Sequence, residues 1–457
     1  MNRRGFLKTM TAATATGILG GSAFAREPEV KPNILFVITD QQAGAAMSCT
    51  GADWLSTPNM DRIASWGTRF TRAYCACPLC VPSRASIFTG HSPHKARPAP
   101  QELPSMGRML AGGGYETAYF GKWHIGKTKP DEVKDWHGFQ TCETGVIDSE
   151  TAANAGEFLR KDHERPFFAV ASFLNPHDCC EYAREKGGWE KRIRMRNGAI
   201  DTDPPLAQCP PLPDNFAIPD GESEALSVQR TSDTWDFLHP TEDWGEREWR
   251  QYRWGYGRLV EKVDAEVGRL LDALEESGKL ENTLIVFTSD HGDGAAAHRW
   301  NQKLAFYEEV ACIPLLVAWK GVTPAGRTDA HLVNTGYDLL PSFCDAAGGD
   351  APGGLEGMSI LPFTRDGADA DGHPFVVSEV EIPISGRMVR TPRYKYICYA
   401  EGEAPEMFFD CREDPGELQN LVDSREARQS LARHRRILKD WCERTGDAFH
   451  LPAGNNK

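Results

Sequence analysis

The chain has 457 residues, of which 40% are hydrophobic and 25% charged, and its formal net charge is −14 at pH 7. This length exceeds a single small domain, and the apolar content suffices for a buried core. The acidic balance argues against nucleic acid or an anionic membrane as a partner. We therefore expect a large domain followed by a smaller one.

The first 25 residues have the features of an export signal. Arg3 and Arg4 form a twin arginine before a stretch rich in Ala, Gly and Thr, and the Ala-Phe-Ala sequence at 23–25 is a small-x-small cleavage site. The apolar run is too short for a membrane-spanning helix. Removing residues 1–25 takes away Arg3, Arg4 and Lys8 and no acid, so the formal charge changes from −14 to −17. We predict export after folding, to the periplasm or the outside, with no integral membrane segment in the mature protein.

Short apolar runs alternate with helical patterns over residues 26–350, which is typical of a parallel sheet flanked by helices. The runs that predict strands are 33–39, 68–74, 117–120, 166–173, 283–288 and 313–319. Several are almost continuously hydrophobic, as strands buried on both faces are. The predicted fold class is α/β, with a large mixed, mainly parallel sheet sandwiched by helices.

The clearest helical pattern precedes the run 283–288. Its apolar residues are Leu259, Val260, Val263, Val267, Leu270, Leu271 and Leu274. Gly278 follows as the expected C-cap. In contrast, residues 180–254 are rich in Pro, Trp and charged residues and show little periodicity, which predicts an irregular insertion over the edge of the sheet.

The pattern changes after Asp350, where Gly, Pro and Asp accumulate. Short strands are predicted at 375–379, 387–390 and 394–399, and a last helix carries Ala427, Leu431, Leu438 and Trp441 on one face. We predict a C-terminal subdomain, 351–457, of antiparallel sheet plus helix, behind a catalytic domain at 26–350. The basic run 433–436 is interpreted as the solvated side of that helix.

Polar residues follow two of the predicted strands. Asp40 and Gln41 come after the first, and Asp290 and His291 come after the run 283–288. Each Asp alone is common as a cap or turn residue. In an open parallel sheet, however, ligands bind beyond the carboxyl ends of the strands, and hard cations such as calcium take oxygen ligands. These strand ends therefore predict a divalent metal site.

The segment Cys80-Val81-Pro82-Ser83-Arg84 resembles the maturation motif of the type I sulfatases, which belong to the alkaline phosphatase superfamily. Alone, it could also be a buried Cys before a helix that starts with Pro. Further segments resemble the family's motifs in the same order: 114–117, 121–126, 175–178, 289–292 with Lys303, and 413–421. The resemblance covers the chain from Lys31 to Arg444.

The resemblance implies a cofactor and a modification. A formylglycine-generating maturation enzyme would oxidise Cys80 to formylglycine (3-oxoalanine), whose hydrate is the nucleophile and also a metal ligand. The other implied ligands of the metal are Asp40, Gln41, Asp290 and His291. Many family members have an acid in place of Gln41 and Asn in place of His291, so the site has one formal charge less. Calcium is expected, with manganese or magnesium as alternatives.

The resemblance also implies the catalytic and substrate-binding residues. His124 is the base and Arg84 stabilises the hydrate, while Lys122 and Lys303 hold the sulfuryl oxygens. His177, which also binds the substrate, or Lys303 protonates the leaving oxygen; Lys303 can do so only if nearby cations depress its pKa.

Asp293 and His298 lie close in sequence to Asp290 and Lys303, and we interpret them as groups that support the site residues.

The predicted function is hydrolysis of sulfate esters, and the expected substrate is a sulfated carbohydrate. The tryptophans of the insertion, which are Trp189, Trp235, Trp244 and Trp249, would stack on sugar rings or would pack the loops. One alternative is hydrolysis of phosphonate or phosphate monoesters on the same scaffold. Another is a non-catalytic sulfated-glycan binder in which Cys80 remains a thiol.

A cysteine-based metal site is a weaker interpretation. Cys75, Cys77 and Cys80 lie in one stretch, and Cys179 is adjacent to Cys180, but no pair has zinc-site spacing.

Overall fold

The near-continuous apolar runs of the sequence form the strands of a central sheet in the computed structural model. The structure describes residues 31–186, 194–231, 241, 243–365 and 371–452. The predicted export signal at 1–25 lies outside these residues. Among the described helices, none combines the length and the apolar character that crossing a membrane requires.

The strands are β1 Asn33–Asp40, β2 Thr68–Phe70, β3 Ala73–Tyr74, β4 Glu116–Gly121, β5 Thr141–Thr144, β6 Phe167–Pro176, β7 Thr283–Ser289, β8 Leu315–Trp319, β9 Arg327–Asp329, β10 Val333–Asn334, β11 Val376–Val380, β12 Gly386–Arg390, β13 Tyr394–Tyr399 and β14 Glu406–Asp410. The helices are α1 Pro58–Trp66, α2 Cys80–Thr89, α3 Pro93–Ala96, α4 Met106–Gly112, α5 Lys134–His137, α6 Asp148–Arg160, α7 Cys179–Lys186, α8 Glu224–Thr231, α9 Glu246–Glu276, α10 Glu308–Ala311, α11 Thr335–Ala346 and α12 Arg428–Thr445.

The central sheet has the strand order β5-β4-β6-β1-β7-β8-β2-β9. The strands from β5 to β7 are parallel, whereas β8 is antiparallel to both of its neighbours. This confirms the predicted mixed, mainly parallel sheet. The predicted strand 68–74 is instead two short strands, because β3 leaves the central sheet and pairs with β10.

Helices cover both faces of the sheet, as predicted. On one face α1, α6 and α9 pack on the apolar side chains of β1 and β6, and on the other face α2, α4 and α11 do so. The apolar stripe of α9 predicted at 259–274 is buried against the first face. Burial of two complete faces makes the middle of this sheet the main core of the protein.

The region predicted to be irregular, 180–254, contains more helix than its sequence indicates. It includes α7, α8 and the first nine residues of α9, which begins at Glu246. Charged residues and Trp interrupt the apolar spacing at the start of α9, and this hides the helix from a periodicity analysis.

The antiparallel C-terminal sheet has the order β11-β12-β13-β14 and packs against α12. The three predicted strands are confirmed, and β14 is a fourth that the sequence analysis missed. His434 is buried, so the basic run 433–436 is not wholly solvated. Residues Pro32–Lys457 form one compact unit, and the boundary at 350/351 remains a prediction.

Candidate active site

The two acidic strand ends meet because β1 and β7 are parallel neighbours. Thr39 pairs with Ser289, and the Asp290 backbone N–H donates to the Thr39 carbonyl at 3.2 Å. Asp40 and Asp290 therefore lie side by side, both fully buried. The sequence prediction that these two residues converge is thus matched by the sheet register.

The first turn of α2 places Cys80 and Arg84 against this acidic pair. Residues four apart share one face of a helix, so both side chains point the same way. Arg84 Nε donates to Asp290 Oδ2 at 2.7 Å, and its Nη2 lies 3.4 Å from Asp40 Oδ2. Ser83 Oγ also donates to the Asp290 carbonyl at 2.5 Å. The motif thereby fixes Cys80 beside both carboxylates.

Lys122 enters the site through a tight approach of β4 to β6. Gly121 has φ 96°, and a Cβ there would lie 2.0 Å from the Ser172 carbonyl, so only Gly is accommodated. The Lys122 ammonium then contacts Asp40 Oδ2. Arg84 Nη1 donates to Ser172 Oγ at 2.8 Å and to the Lys122 carbonyl at 3.1 Å. Ser172 was missed by the sequence analysis, although a hydroxyl within the apolar strand β6 is a usable signal.

The remaining predicted residues surround the Cys80 sulfur. Lys303 Nζ lies 3.6 Å from Cys80 Sγ and 3.2 Å from His177 Nε2. His291 Nε2 lies 3.4 Å from the same sulfur. His124, which is exposed, forms a hydrogen bond with Cys80 as well. Cys80 is therefore the point at which the predicted catalytic side chains meet.

The charge around Cys80 favours an anion at this position. Burial alone raises the pKa of the Cys80 thiol, but the positive charges of Lys303, Lys122 and His291 lower it well below its ordinary value. An electropositive pocket of this kind is typical of reactive cysteines. Since the net charge of the chain is negative, the attraction for an anionic substrate is local.

His177 and Lys303 have opposite proton affinities. Burial, together with the charges of Lys303 and Lys122, lowers the pKa of His177 to about 3. Burial also opposes the charge on Lys303, but the negative charges of Cys80, Cys180 and Asp40 raise its pKa above the ordinary value. The expectation that nearby cations depress the pKa of Lys303 is therefore wrong for this form of the protein, because anions outnumber cations around its ammonium group.

Four of the predicted ligands form a cluster that suits a metal ion. One donor atom each from Asp40, Cys80, Asp290 and His291 lies within 4.8 Å of the others, and all four residues are buried. Asp40 Oδ1 is buried and has no hydrogen-bond partner among the described residues. If residue 80 is oxidised as the sequence predicts, an oxygen of the hydrated aldehyde would take the place of Cys80 Sγ. These residues, named the active-site cluster below, fit a divalent cation.

The structure does not bring the Gln41 side chain into the active-site cluster. Its amide Nε2 donates to Asp293 Oδ2 at 2.8 Å and to Cys179 Sγ at 3.2 Å. The Gln41 backbone N–H donates instead to Asp290 Oδ1 at 3.1 Å. Asp293 also accepts from the Tyr252 hydroxyl at 2.9 Å, so it supports the loop around the site. Gln41 as a metal ligand remains a prediction.

The tryptophans that the structure describes have packing contacts. Trp249 is 1% exposed and lies 4.9 Å from Trp244 and 5.9 Å from Phe216, measured between ring centroids. Both Trp residues belong to or pack against the main core, which favours the packing interpretation for them. Trp189 and Trp235 lie outside the described residues.

The cysteine-based alternative finds no support in the described part of the chain. Among its clusters of possible metal ligands, none includes Cys75, Cys77, Cys179 or Cys180. None of the cysteines found there forms a disulfide.

Comparisons with known proteins agree with this arrangement. The family model "Sulfatase" matches residues 32–349, and the model "N-sulphoglucosamine sulphohydrolase, C-terminal" matches residues 296–443. The Δ4,5-hexuronate-2-O-sulfatase of Bacteroides thetaiotaomicron is 32% identical, with coverage of 94% of this chain and 92% of the relative.

Solved structures with a similar fold include a sulfatase and a phosphonate monoester hydrolase. A 2-O GAG sulfatase is similar with a TM-score of 0.81 and 31% identity, and the match covers 93% of this chain and 95% of that one. The phosphonate monoester hydrolase of Agrobacterium radiobacter shares the fold with a TM-score of 0.73 at 21% identity, covering 91% of this chain and 96% of that one.

Proposed function

This chain belongs to the sulfatase family and is an enzyme that hydrolyses sulfate esters; we propose that it removes the 2-O-sulfate group from hexuronate units of sulfated glycosaminoglycans. The substrate is inferred from a curated protein at 32% identity and a solved structure at 31% identity, both matched over nearly the full length and both named as 2-O-sulfatases. The observation that supports this chemistry is the position of Cys80, which lies close to two carboxylates, to Lys303 and to three histidines.

We propose that residue 80 is oxidised to formylglycine, which supplies a hydrated aldehyde as the nucleophile. Support comes from the surroundings of the residue. The positive charges of Lys303, Lys122 and His291 lie around an atom that must carry a negative charge when it attacks, and the two carboxylates beside it are proposed ligands of a metal ion. His124, hydrogen-bonded to position 80, is placed to remove a proton from it. Arg84 holds both carboxylates in position through its ion pairs with Asp40 and Asp290.

The ion that we propose for the active-site cluster is calcium, held by Asp40, Asp290, His291 and residue 80. The unpartnered Asp40 Oδ1 supports this assignment. Manganese, which accepts both imidazole and carboxylate ligands, is the alternative. When bound, the ion supplies positive charge opposite the sulfuryl oxygens.

Lys303 is the better candidate for protonating the leaving oxygen, because oxidation of Cys80 would remove the negative charge that contributes most to raising the Lys303 pKa. The low pKa of His177 makes its imidazole neutral, and because the Lys303 ammonium can only donate, Nε2 of that imidazole accepts the hydrogen bond between them. The proton therefore resides on Lys303, next to the reacting position. His177 orients that ammonium group and lines the substrate side of the pocket.

The test begins with the state of residue 80. Mass spectrometry of the peptide that contains Cys80 should find the aldehyde in protein matured by a formylglycine-generating enzyme. The matured protein should then release sulfate from an unsaturated 2-O-sulfated hexuronate disaccharide faster than from a 6-O-sulfated glucosamine disaccharide. The reverse preference would refute the 2-O assignment, and a retained thiol with no turnover would favour the glycan binder.

Phosphonate ester hydrolysis is the second candidate, because the fold is shared with a phosphonate monoester hydrolase. Rates on an aryl sulfate and on the matching aryl phosphonate separate the two. A larger kcat/KM for the phosphonate would make that hydrolysis the main activity.

We also propose that the protein is exported after folding through the twin arginine at Arg3 and Arg4. Oxidation of Cys80 would then precede export, in the compartment of the maturation enzyme. Replacement of both arginines by lysine should leave the protein inside the cell, and unchanged export would contradict this proposal.

A further inference from the structure

A second group of possible metal-ligand side chains lies beside the loop that follows β7, with His298 and Glu417 buried and Glu309 partly buried. One donor atom each from His298, Glu309 and Glu417 lies within 4.8 Å of the others. These residues come from the loop after β7, from α10 and from the segment 413–421. We propose that this group, named the rear cluster, binds a zinc ion. One imidazole and two carboxylates are a ligand set that zinc accepts.

The polar atoms of the rear cluster lack sufficient partners in the protein. His298 is fully buried, and its Nε2 lies 3.9 Å from Glu309 Oε2. Glu309 Oε2 is buried without a hydrogen-bond partner in the described part of the chain. The Asn215 amide has two hydrogens but three acceptors nearby: Glu309 Oε1 at 2.7 Å, His298 Nε2 at 3.3 Å and the Gly416 carbonyl at 3.4 Å. The imidazole and Glu309 therefore keep lone pairs for a ligand.

The charges around the rear cluster are unbalanced. Lys395 Nζ lies 2.6 Å from carboxylate oxygens of both Glu308 and Glu417. Glu309 has no Lys or Arg within 4.0 Å among the described residues. The Glu309 side chain is 23% exposed, so water reaches part of it, and a divalent cation would supply the positive charge that Lys and Arg do not place beside it.

One ligand of the rear cluster is reached from a cavity. Glu309 lines a cavity of about 260 Å³ together with Glu308, Pro415, Arg69 and other residues, whereas His298 and Glu417 do not line it. None of the predicted catalytic residues lines this cavity. Zinc would therefore enter without passing the catalytic residues.

A bound zinc ion would stabilise the loop that carries Lys303. His298 and Lys303 lie in the same loop, between β7 and α10, and the Glu309 backbone packs against Gly292 at the start of that loop. A Cβ at Gly292 would be 2.1 Å from the Glu309 carbonyl, and the Gly292 N–H donates to the Val310 carbonyl at 2.8 Å. Zinc at the rear cluster would join these segments to Glu417, so its role is structural.

The experiment uses crystals of the full-length protein soaked in zinc chloride, with calcium present, and diffraction data collected at the zinc edge. An anomalous peak between His298, Glu309 and Glu417 is the expected result. A peak at the active-site cluster alone, or no peak, would overturn the proposal. Because the wild-type protein is used, this result does not depend on the folding of a variant.

Zinc titrations of variants provide the second measurement. Glu309→Gln keeps an acceptor for Asn215 but removes the charge, and it should weaken zinc binding by more than ~10-fold, the effect of losing an outer hydrogen-bond partner. The matched control Asp290→Asn alters the active-site cluster and should retain this zinc site. Zinc binding that survives Glu309→Gln but is lost in Asp290→Asn would refute the rear cluster without bearing on sulfate hydrolysis.

Discussion

Another group of His and carboxylate side chains consists of His94, Glu379 and Asp447 and is named the junction cluster. It contains residue types similar to those of the active-site cluster, but the two clusters differ in their hydrogen bonds. In the junction cluster, His94 Nδ1 lies 2.9 Å from Glu379 Oε1, and Arg387 binds both oxygens of Asp447 at 2.6 and 2.8 Å. In the active-site cluster, Asp40 Oδ1 has no hydrogen-bond partner among the described residues. A bidentate guanidinium completes the hydrogen bonding of the junction cluster, whereas an unused lone pair on Asp40 leaves the active-site cluster open to a ligand.

The largest effect should come from removing the central atom of the active-site cluster. Cys80→Ala should lower kcat by about 10⁶-fold, the scale seen when a catalytic nucleophile is removed. Sulfate release by the matured enzyme measures this effect. Cys77→Ala, a change at a buried cysteine of the same segment, is the control and should retain activity. Sulfatase activity in the Cys80 variant would refute the mechanism.

Lys303→Ala should have the next largest effect, because it removes the proposed proton donor. We expect kcat for a sugar sulfate to fall by about 10²- to 10⁴-fold, the usual contribution of general acid catalysis. The loss should be much smaller for an aryl sulfate with an acidic phenol, which leaves without a proton. Lys320→Ala, at an exposed ion pair, is the control. Equal losses on both substrates would instead assign Lys303 to binding.

Asp447→Asn tests whether the junction cluster is structural. Breaking its buried pair with Arg387 should reduce the free energy of unfolding by about 3 kcal/mol. Denaturant unfolding measures this change, and calcium content should be the same as in the wild type. Asp440→Asn, at an exposed position of α12, should change stability by less than about 0.5 kcal/mol. Loss of calcium in the Asp447 variant would remove the distinction between the two clusters.

The smallest effect concerns the pH dependence of His94. Burial lowers its pKa, but the hydrogen bond and charge of Glu379 and the charge of Asp447 raise it above 6.5, its ordinary value. A raised pKa means that the folded state binds the proton more tightly, so this stabilisation is complete below pH 6.5 and is lost as the pH rises through the folded-state pKa. The stability difference between wild type and His94→Gln should therefore shrink at alkaline pH in urea titrations.

His434 provides a control of opposite sign for this prediction. Burial lowers the pKa of His434, so the contribution of its neutral side chain is lost at acid pH instead. The same slope for the His94 and His434 variants would contradict both assignments.

Local patterns in the sequence were sufficient for much of the fold and for the main site residues. Uninterrupted apolar runs predicted β1, β6 and β7, because a strand buried on both faces has no polar alternation. The motif at 80–84 identified Cys80 and Arg84 as site residues through its resemblance to the sulfatase maturation motif. In contrast, the start of α9 and strand β14 were missed, since charged residues or short length removed the periodic signal on which such predictions depend.

The sequence by itself determined the family, the parallel sheet and the set of chemical groups near Cys80. Only the tertiary structure decided how those groups share their hydrogen bonds. It directed the Gln41 amide to Asp293, lowered the pKa of His177 while raising that of Lys303, and left lone pairs unused on Asp40 and Glu309. These outcomes depend on burial and on neighbours distant in the chain, which no local pattern encodes, because the electrostatic energy of a group is set by its surroundings in space.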